Sequence, residues 1–120
     1  MTVPSATRIT LEWPTSDGFL SIGRLVVGGV AARADIPVDR VDELGLALDT
    51  LATSADPGAC SLEIDVARDR LTLSVGDFTS DPLADEGVRR VVAGLVDDVV
   101  SVASAPGHRV VLTTRIPRSA

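Results

Sequence analysis

Between Phe19 and Ser54 the chain carries two helical patterns back to back, separated only by Asp35-Ile36-Pro37. The pair follows one alternating strand and precedes a hairpin. That placement prunes the possible folds. Ferredoxin-like chains put a single helix between their first two strands. A two-helix insertion followed by a hairpin needs a sheet wide enough for several helices to lie on one face.

The first helix is predicted over Phe19–Ala34. Leu20, Val27, Ala31 and Ala34 share one face, with Phe19, Ile22, Val26 and Val30 beside them. Gly23, Gly28 and Gly29 interrupt it, and each costs about 1 kcal/mol relative to Ala in a helix interior. Two readings account for them: close helix–sheet packing, or close approach of another backbone or a ligand. Pro37 suits the first helical position of the second helix, which runs to about Ser54. Val41, Leu44, Leu48 and Leu51 form its core stripe. Gly45, Asp49 and Thr53 form a second stripe, small and polar, at i, i+4, i+8. Asp49 and Thr53 therefore sit one turn apart on the same face. Asp56-Pro57-Gly58 closes the helix.

The strands follow from period-2 alternation. Ile9, Leu11 and Trp13 alternate with Arg8, Thr10 and Glu12. Leu62, Ile64 and Val66 alternate with Ser61, Glu63 and Asp65. After a turn near Arg68-Asp69, Leu71, Leu73 and Val75 alternate with Thr72, Ser74 and Gly76. Continued alternation puts Asp77 in the row of Leu71, Leu73 and Val75. A carboxylate on a core-facing row requires a partner or a ligand. A third helix is expected over Ala84–Val96, with Val88, Val91, Val92 and Leu95 buried and Asp85 and Glu86 favourably near its start. Val99–Ala103 and His108–Ile116 complete the pattern about Ala105-Pro106-Gly107. The order is β-α-α-β-β-α-β-β. It predicts a two-layer α/β sandwich: a mixed, mostly antiparallel five-stranded sheet with three helices on one face. One domain is expected over residues 1–120, with Met1–Ala6 a loose end.

Composition removes several function classes. The chain has two Phe, one Trp and no Tyr, and a net charge of −6. Stacking modules for nucleic acid need exposed aromatics, and phosphate-backbone binding needs a basic surface. Direct nucleic-acid binding is not expected. A single cysteine, Cys60, excludes an internal disulfide and a multi-thiolate metal site. Its position opening a strand reads as a small core residue. His108 has no Asp, Cys or Ser at motif spacing and reads as a loop residue. No apolar run reaches the ~18 residues of a membrane span, and no secretory signal is evident. The expected setting is the cytoplasm.

With these residues in this order, the chain resembles the histidine-kinase-like ATPase (GHKL, Bergerat) superfamily. More narrowly, it resembles the bacterial anti-sigma factor and serine-protein kinase branch. The resemblance rests on Arg24 followed by apolar residues, on Val41–Asp49 as the lead-in to the family's N-box, and on Leu71–Asp77 leading into its nucleotide box. It rests further on Glu86-Gly87-Val88, on Leu95-Val96-Asp97, and on the final strand pair. It implies ATP or ADP bound with Mg²⁺, a homodimer, and a sigma factor or an anti-sigma antagonist as partner. Asp77, Thr53, Asp49 and Gly87 would be the nucleotide-binding positions, and Arg24 with the first helix the partner-binding surface.

The departures from that pattern are specific. The family's Glu-x-x-x-Asn is here Asp49-x-x-x-Thr53. The shorter Asp and the loss of the amide carbonyl weaken a site that must hold Mg²⁺ in near-octahedral oxygen geometry. Thr53 is the remaining, weak metal candidate. The family's Asp-x-Gly-x-Gly is here Asp77-Phe78-Thr79-Ser80-Asp81, without the glycines that let backbone approach a nucleotide. The segment from there to Gly87 is also short for a lid. The leading expectation is a regulator that acts by protein–protein binding with a degenerate nucleotide site. The alternative is an active Mg-ATP-dependent serine-protein kinase with Asp49 as its base. An unrelated two-layer interaction domain is a third reading.

Overall fold

The computed structural model describes residues 7–13, 19–52, 60–104 and 107–116. The expectations for Met1–Ala6, the turn before the first helix, Thr53, Asp56-Pro57-Gly58 and the Cys60 side chain lie outside the described residues.

The elements run β1 (Thr7–Trp13), α1 (Phe19–Arg33), α2 (Val38–Ala52), β2 (Cys60–Val66), β3 (Arg70–Phe78), α3 (Glu86–Leu95), β4 (Asp98–Ser104) and β5 (Gly107–Arg115), with a 3-10 turn at Pro82–Ala84 before α3. The five strands form one sheet in the order β1-β2-β3-β5-β4. All four pairings are antiparallel. The sheet is thus wholly antiparallel rather than mixed, because each pairing joins strands of opposite run.

The helices cover one face. Leu62, Ile64, Leu71, Leu73, Val75, Val110 and Leu112 alternate inward from β2, β3 and β5. They pack against Val27, Ala31, Leu44, Leu48, Leu51 and Val92 in a single cluster. Thr114 continues the inward row of β5 opposite Leu71. It is buried, and its Oγ1 has no hydrogen-bond partner.

The junction of α1 and α2 explains the break read at Asp35-Ile36-Pro37. Asp35 adopts φ 59°. The Ile36 amide donates to Ala31 O at 3.0 Å and the Asp35 amide to Ala32 O at 3.2 Å. This is a Schellman stop, with Asp in the left-handed position that glycine usually takes. Ile36 is buried against the core and seals the turn.

The glycines of α1 divide between the two readings offered for them. A Cβ at Gly23 would make ordinary contact with the Leu62 side chain at 3.8 Å, so it lies against the sheet. At Gly28 and Gly29 a Cβ would meet nothing within 4 Å. Helix–sheet packing does not account for those two.

Candidate functional site

Asp49 lies on α2 facing α1, and Arg24 reaches across to it. Arg24 Nη1 donates to Asp49 Oδ2 at 3.1 Å. The approach depends on Gly45, one turn before Asp49. A Cβ at position 45 would lie 2.6 Å from Arg24 Nη2 and 2.7 Å from Nε. The small, polar stripe of α2 is therefore a seat for a guanidinium. Both side chains remain partly open to solvent, at 44% and 38% exposure. Sequence reasoning singled out Arg24 and Asp49 separately, and the structure brings them together.

Asp77 does not continue the inward row of β3, and that expectation is corrected. The register against β5 shifts between Val75 and Phe78. Past Gly76 the alternation moves by one residue, so Phe78 is buried and Asp77 exposed. A one-residue shift moves a side chain to the other face of a sheet. Asp77 joins Ser61, Ser74 and Arg109, which alternate with the core residues and lie on the face away from the helices. Arg109 Nη1 donates to Asp77 Oδ1 at 3.1 Å and to Ser61 Oγ at 2.8 Å. Its Nε donates to Ser74 Oγ at 2.9 Å, and its Nη2 to Ser74 O at 3.0 Å. One guanidinium thus ties β5, β3 and β2 together at 20% exposure. Asp49 and Asp77 belong to different layers.

Gly87 lies in the first turn of α3, but Asp85 occupies the amides there. Asp85 Oδ1 accepts from Gly87 N at 2.9 Å and from Val88 N at 3.2 Å. Asp81 caps the preceding 3-10 turn in the same way, accepting from Leu83 N at 2.9 Å. Asp81 and Asp85 are thus caps, while Glu86 pairs with Arg90 one turn on. A carboxylate there uses the donors and partial positive charge that would otherwise attract an anion.

Arg109 was not legible as a site residue. Its row on β5 was readable from alternation, but its reach to Ser61 and Ser74 depends on cross-strand register. In the sequence Asp97 stands out only as the last residue of Leu95-Val96-Asp97. Its Oδ2 accepts from the Arg115 amide at 2.6 Å, and Arg40 of α2 lies 3.4 Å away. The Arg115 amide, with Arg40, holds its carboxyl below the usual range against the opposing effect of burial. A nearby open cleft of about 350 Å³ is lined by Leu83, Arg89, Asp97 and Val99 among others, and neither Asp49 nor Asp77 lines it.

Among the described residues no group of three or more His, Cys, Asp or Glu is placed to hold a metal ion. No described helix is long and apolar enough to cross a membrane.

No protein-family model matches the chain. Among curated proteins it is similar to the serine-protein kinase RsbW of Listeria monocytogenes serotype 4a, 28% identical over 78 residues, which cover 58% of this chain and 50% of that protein. The serine-protein kinase RsbW of Listeria innocua serovar 6a is 27% identical over 78 residues, with the same coverage. The chain spans about half the length of the curated relatives it matches. What these matches support is a likeness, over part of the chain, to RsbW serine-protein kinases.

Proposed function

We propose that this protein is a bacterial regulator of the anti-sigma type, acting by protein–protein binding in the cytoplasm with a degenerate nucleotide site. The observation that carries the reading is the Arg24–Asp49 pair. Asp49 stands where the resemblance implies a base, and its carboxylate is engaged by a guanidinium 3.1 Å away. Two further arrangements support the same reading. Asp77 is paired to Arg109 on the far face of the sheet, and Asp85 fills the amides at Gly87 and Val88. In this reading Asp49, Asp77 and the Gly87 amide are each engaged by other groups and offer ATP or ADP with Mg²⁺ no convergent set.

The partner is a sigma factor or an anti-sigma antagonist, and α1 is the surface that meets it. Leu25 stands 77% exposed beside Arg24. Gly28 and Gly29 leave open space farther along the helix. Two helix-weakening residues without an internal packing role are accounted for by close approach from outside.

Calorimetry with Mg·ATP and Mg·ADP tests the site. No heat is expected up to millimolar nucleotide. Micromolar, Mg²⁺-dependent binding that disappears in Asp77→Ala would overturn the degenerate-site reading. Titration against purified sigma factors and antagonist proteins of the same cell tests the partner, with Arg24→Ala expected to weaken the complex.

A second reading is an active Mg-ATP-dependent serine-protein kinase that phosphorylates an antagonist. The similarity to proteins named serine-protein kinase favours it. It requires Asp49 to leave Arg24. Loss of phosphorylation in Asp49→Ala with partner binding intact would establish it.

A further inference from the structure

The sheet has two edges among the described residues, β1 and β4, and they are built differently. Edge strands expose unpaired backbone donors and acceptors, and native proteins protect them with charge, proline or bulges. The outward row of β1 is Arg8, Thr10 and Glu12, and Arg8 is paired with Asp65 at 2.9 Å. β4 carries one charge, at its first residue, Asp98. It pairs with β5 along its whole length without a register break, so no bulge turns its free edge away. On the face away from the helices it presents Val100 at 45% and Val102 at 47% exposure. On the helix side, α3 and the start of β4 border one open cleft, lined by Leu83, Ala93 and Val99 together with Arg89, Arg90 and Asp98. Arg89 and Ala93 stand one turn apart on α3 and share a face. Arg90 is paired with Glu86, and the neighbouring Asp97 is held by the Arg115 amide and Arg40. That leaves Arg89 and Asp98 as the two charges of the cleft with no ion pair among the described residues.

We infer that the β4 edge and the α3 cleft together receive an extended segment of a different protein, paired antiparallel to β4, with a carboxylate for Arg89 and a cation for Asp98. An added strand gains affinity from main-chain hydrogen bonds and specificity from alternate side chains. Antiparallel addition follows from the sheet, whose four pairings are all antiparallel, and from the slightly greater stability of that ladder. Alternation then fixes the order of residues in the segment. Val99 and Ser101 lie opposite the core residues Leu112 and Val110 and so face the helix side, while Asp98, Val100 and Val102 face away. Read from its N-terminal end, the segment sets a β-branched residue against Val102, a small one against Ser101 and a β-branched one against Val100. An acidic residue follows opposite Val99, on the side of Arg89, and a basic one opposite Asp98. Directly opposed β-branched residues and opposite charges are stabilising cross-strand pairs. The shortest segment with this order is Val-Thr-Val-Glu-Lys. The charges also argue for a different chain: β4 contains no basic residue, so β4 of a second copy could not neutralise Asp98. The assignment uses α3 and the β4 edge, and rests on neither the nucleotide reading nor the α1 surface.

Amide chemical-shift titration of the full chain with synthetic, end-blocked peptides tests it. The first peptide contains Val-Thr-Val-Glu-Lys, and the second exchanges its two charges to give Val-Thr-Val-Lys-Glu. A single-strand interface is small, so binding of the first is weak but saturable, with the largest shifts at the amides of β4. The second places like charges against both Arg89 and Asp98 and is expected to bind about tenfold more weakly or worse. Arg89→Glu is expected to weaken the first peptide to a similar degree and to recover affinity for a third, Val-Thr-Val-Lys-Lys. Arg89 is exposed and has no ion pair among the described residues, so far-UV circular dichroism and Tm should stay unchanged in that variant. No shift with any of the peptides at millimolar concentration would overturn the assignment. Shifts that leave β4 untouched would overturn it by placing the peptide elsewhere. Affinity indifferent to both the charge exchange and Arg89→Glu would overturn the role of Arg89. Shifts at β4 that depend on protein concentration without peptide would give the edge to a second copy instead.

Discussion

Two arginine–aspartate pairs, one on each layer, look alike in outline and differ in kind. In both, a guanidinium lies over a glycine and meets a carboxylate at 3.1 Å. In both, a Cβ on that glycine, Gly45 or Gly76, would crowd the arginine. Arg109, however, makes four hydrogen bonds to three residues across β2 and β3 and is mostly shielded. Arg24 makes one ion pair, at 44% exposure. Half-exposed surface pairs contribute little to stability, because water already solvates both ions and holding long side chains costs entropy. The first pair is part of the sheet. The second is an arginine whose present partner can be exchanged for another at small cost. That difference is what suits Arg24 for binding and Arg109 for architecture.

The largest effect that would sharpen the contrast is at Arg109. Arg109→Ala removes four bonds and leaves half-buried Ser61 and Ser74 short of partners. The expected loss is about 2–4 kcal/mol, since bonds to a charged group are worth more than neutral ones and unpaired buried groups add their own cost. Urea unfolding measures it. A loss under about 1 kcal/mol would reduce Arg109 to the class of ordinary surface ions.

Gly76→Ala comes next. Its Cβ would lie 2.9 Å from Arg109 Cγ and 3.3 Å from the His108 carbonyl oxygen. Arg109 is held by its four bonds and the carbonyl is backbone, so neither yields readily. A destabilisation of about 1–3 kcal/mol is expected from this overpacking, read as a lower urea midpoint at unchanged slope.

Asp97 lies between the two extremes, anchored by one backbone amide and one arginine. Its folded-state pKa is lowered, first by the Arg115 amide and then by Arg40. The unfolded chain therefore takes up this proton at higher pH than the folded one. The stability it contributes is complete above the ordinary carboxylate range and is lost as pH falls through the folded-state value. In Asp97→Asn the neutral-pH Tm should drop and the acid limb of the Tm–pH curve should flatten. An unchanged acid limb would show that the Arg115 amide binds the neutral side chain equally well.

How much of this was legible in the sequence can be judged at particular residues. Leu62, Ile64, Leu71, Leu73, Val110 and Leu112 alternate inward as period 2 requires, and the five strands and three helices lie close to where the pattern put them. The alternation fails at Gly76, where glycine's small volume admits Arg109 and the register against β5 shifts. A pattern rule carries no term for a bulge, so it sent Asp77 to the wrong face. The Asp35 stop was readable as a break but not as a Schellman turn, because Asp is not the residue that usually marks one. Arg24 and Asp49 are 25 positions apart on different helices, and only the packing of α1 on α2 joins them. The stripe Gly45-Asp49 was visible, but its purpose as a guanidinium seat was not.

The smallest expected effect separates the two pairs most cleanly. Gly45→Ala places a Cβ where the Arg24 guanidinium now lies, but that guanidinium is the far end of a flexible, half-exposed side chain and can swing away. Losing the ion pair costs up to ~1 kcal/mol. Replacing glycine by alanine inside a helix returns about 1 kcal/mol. The two nearly cancel, so the urea midpoint should move by no more than about 0.5 kcal/mol equivalent in either direction. Arg24 is then displaced from Asp49 without being deleted. Partner affinity that holds in Gly45→Ala but fails in Arg24→Ala would mean that the guanidinium itself is read by the partner. Failure in both would mean that the partner reads the arginine only as Asp49 presents it. A stability loss as large as that of Gly76→Ala would break the distinction between the two layers and make Arg24, like Arg109, a part of the framework.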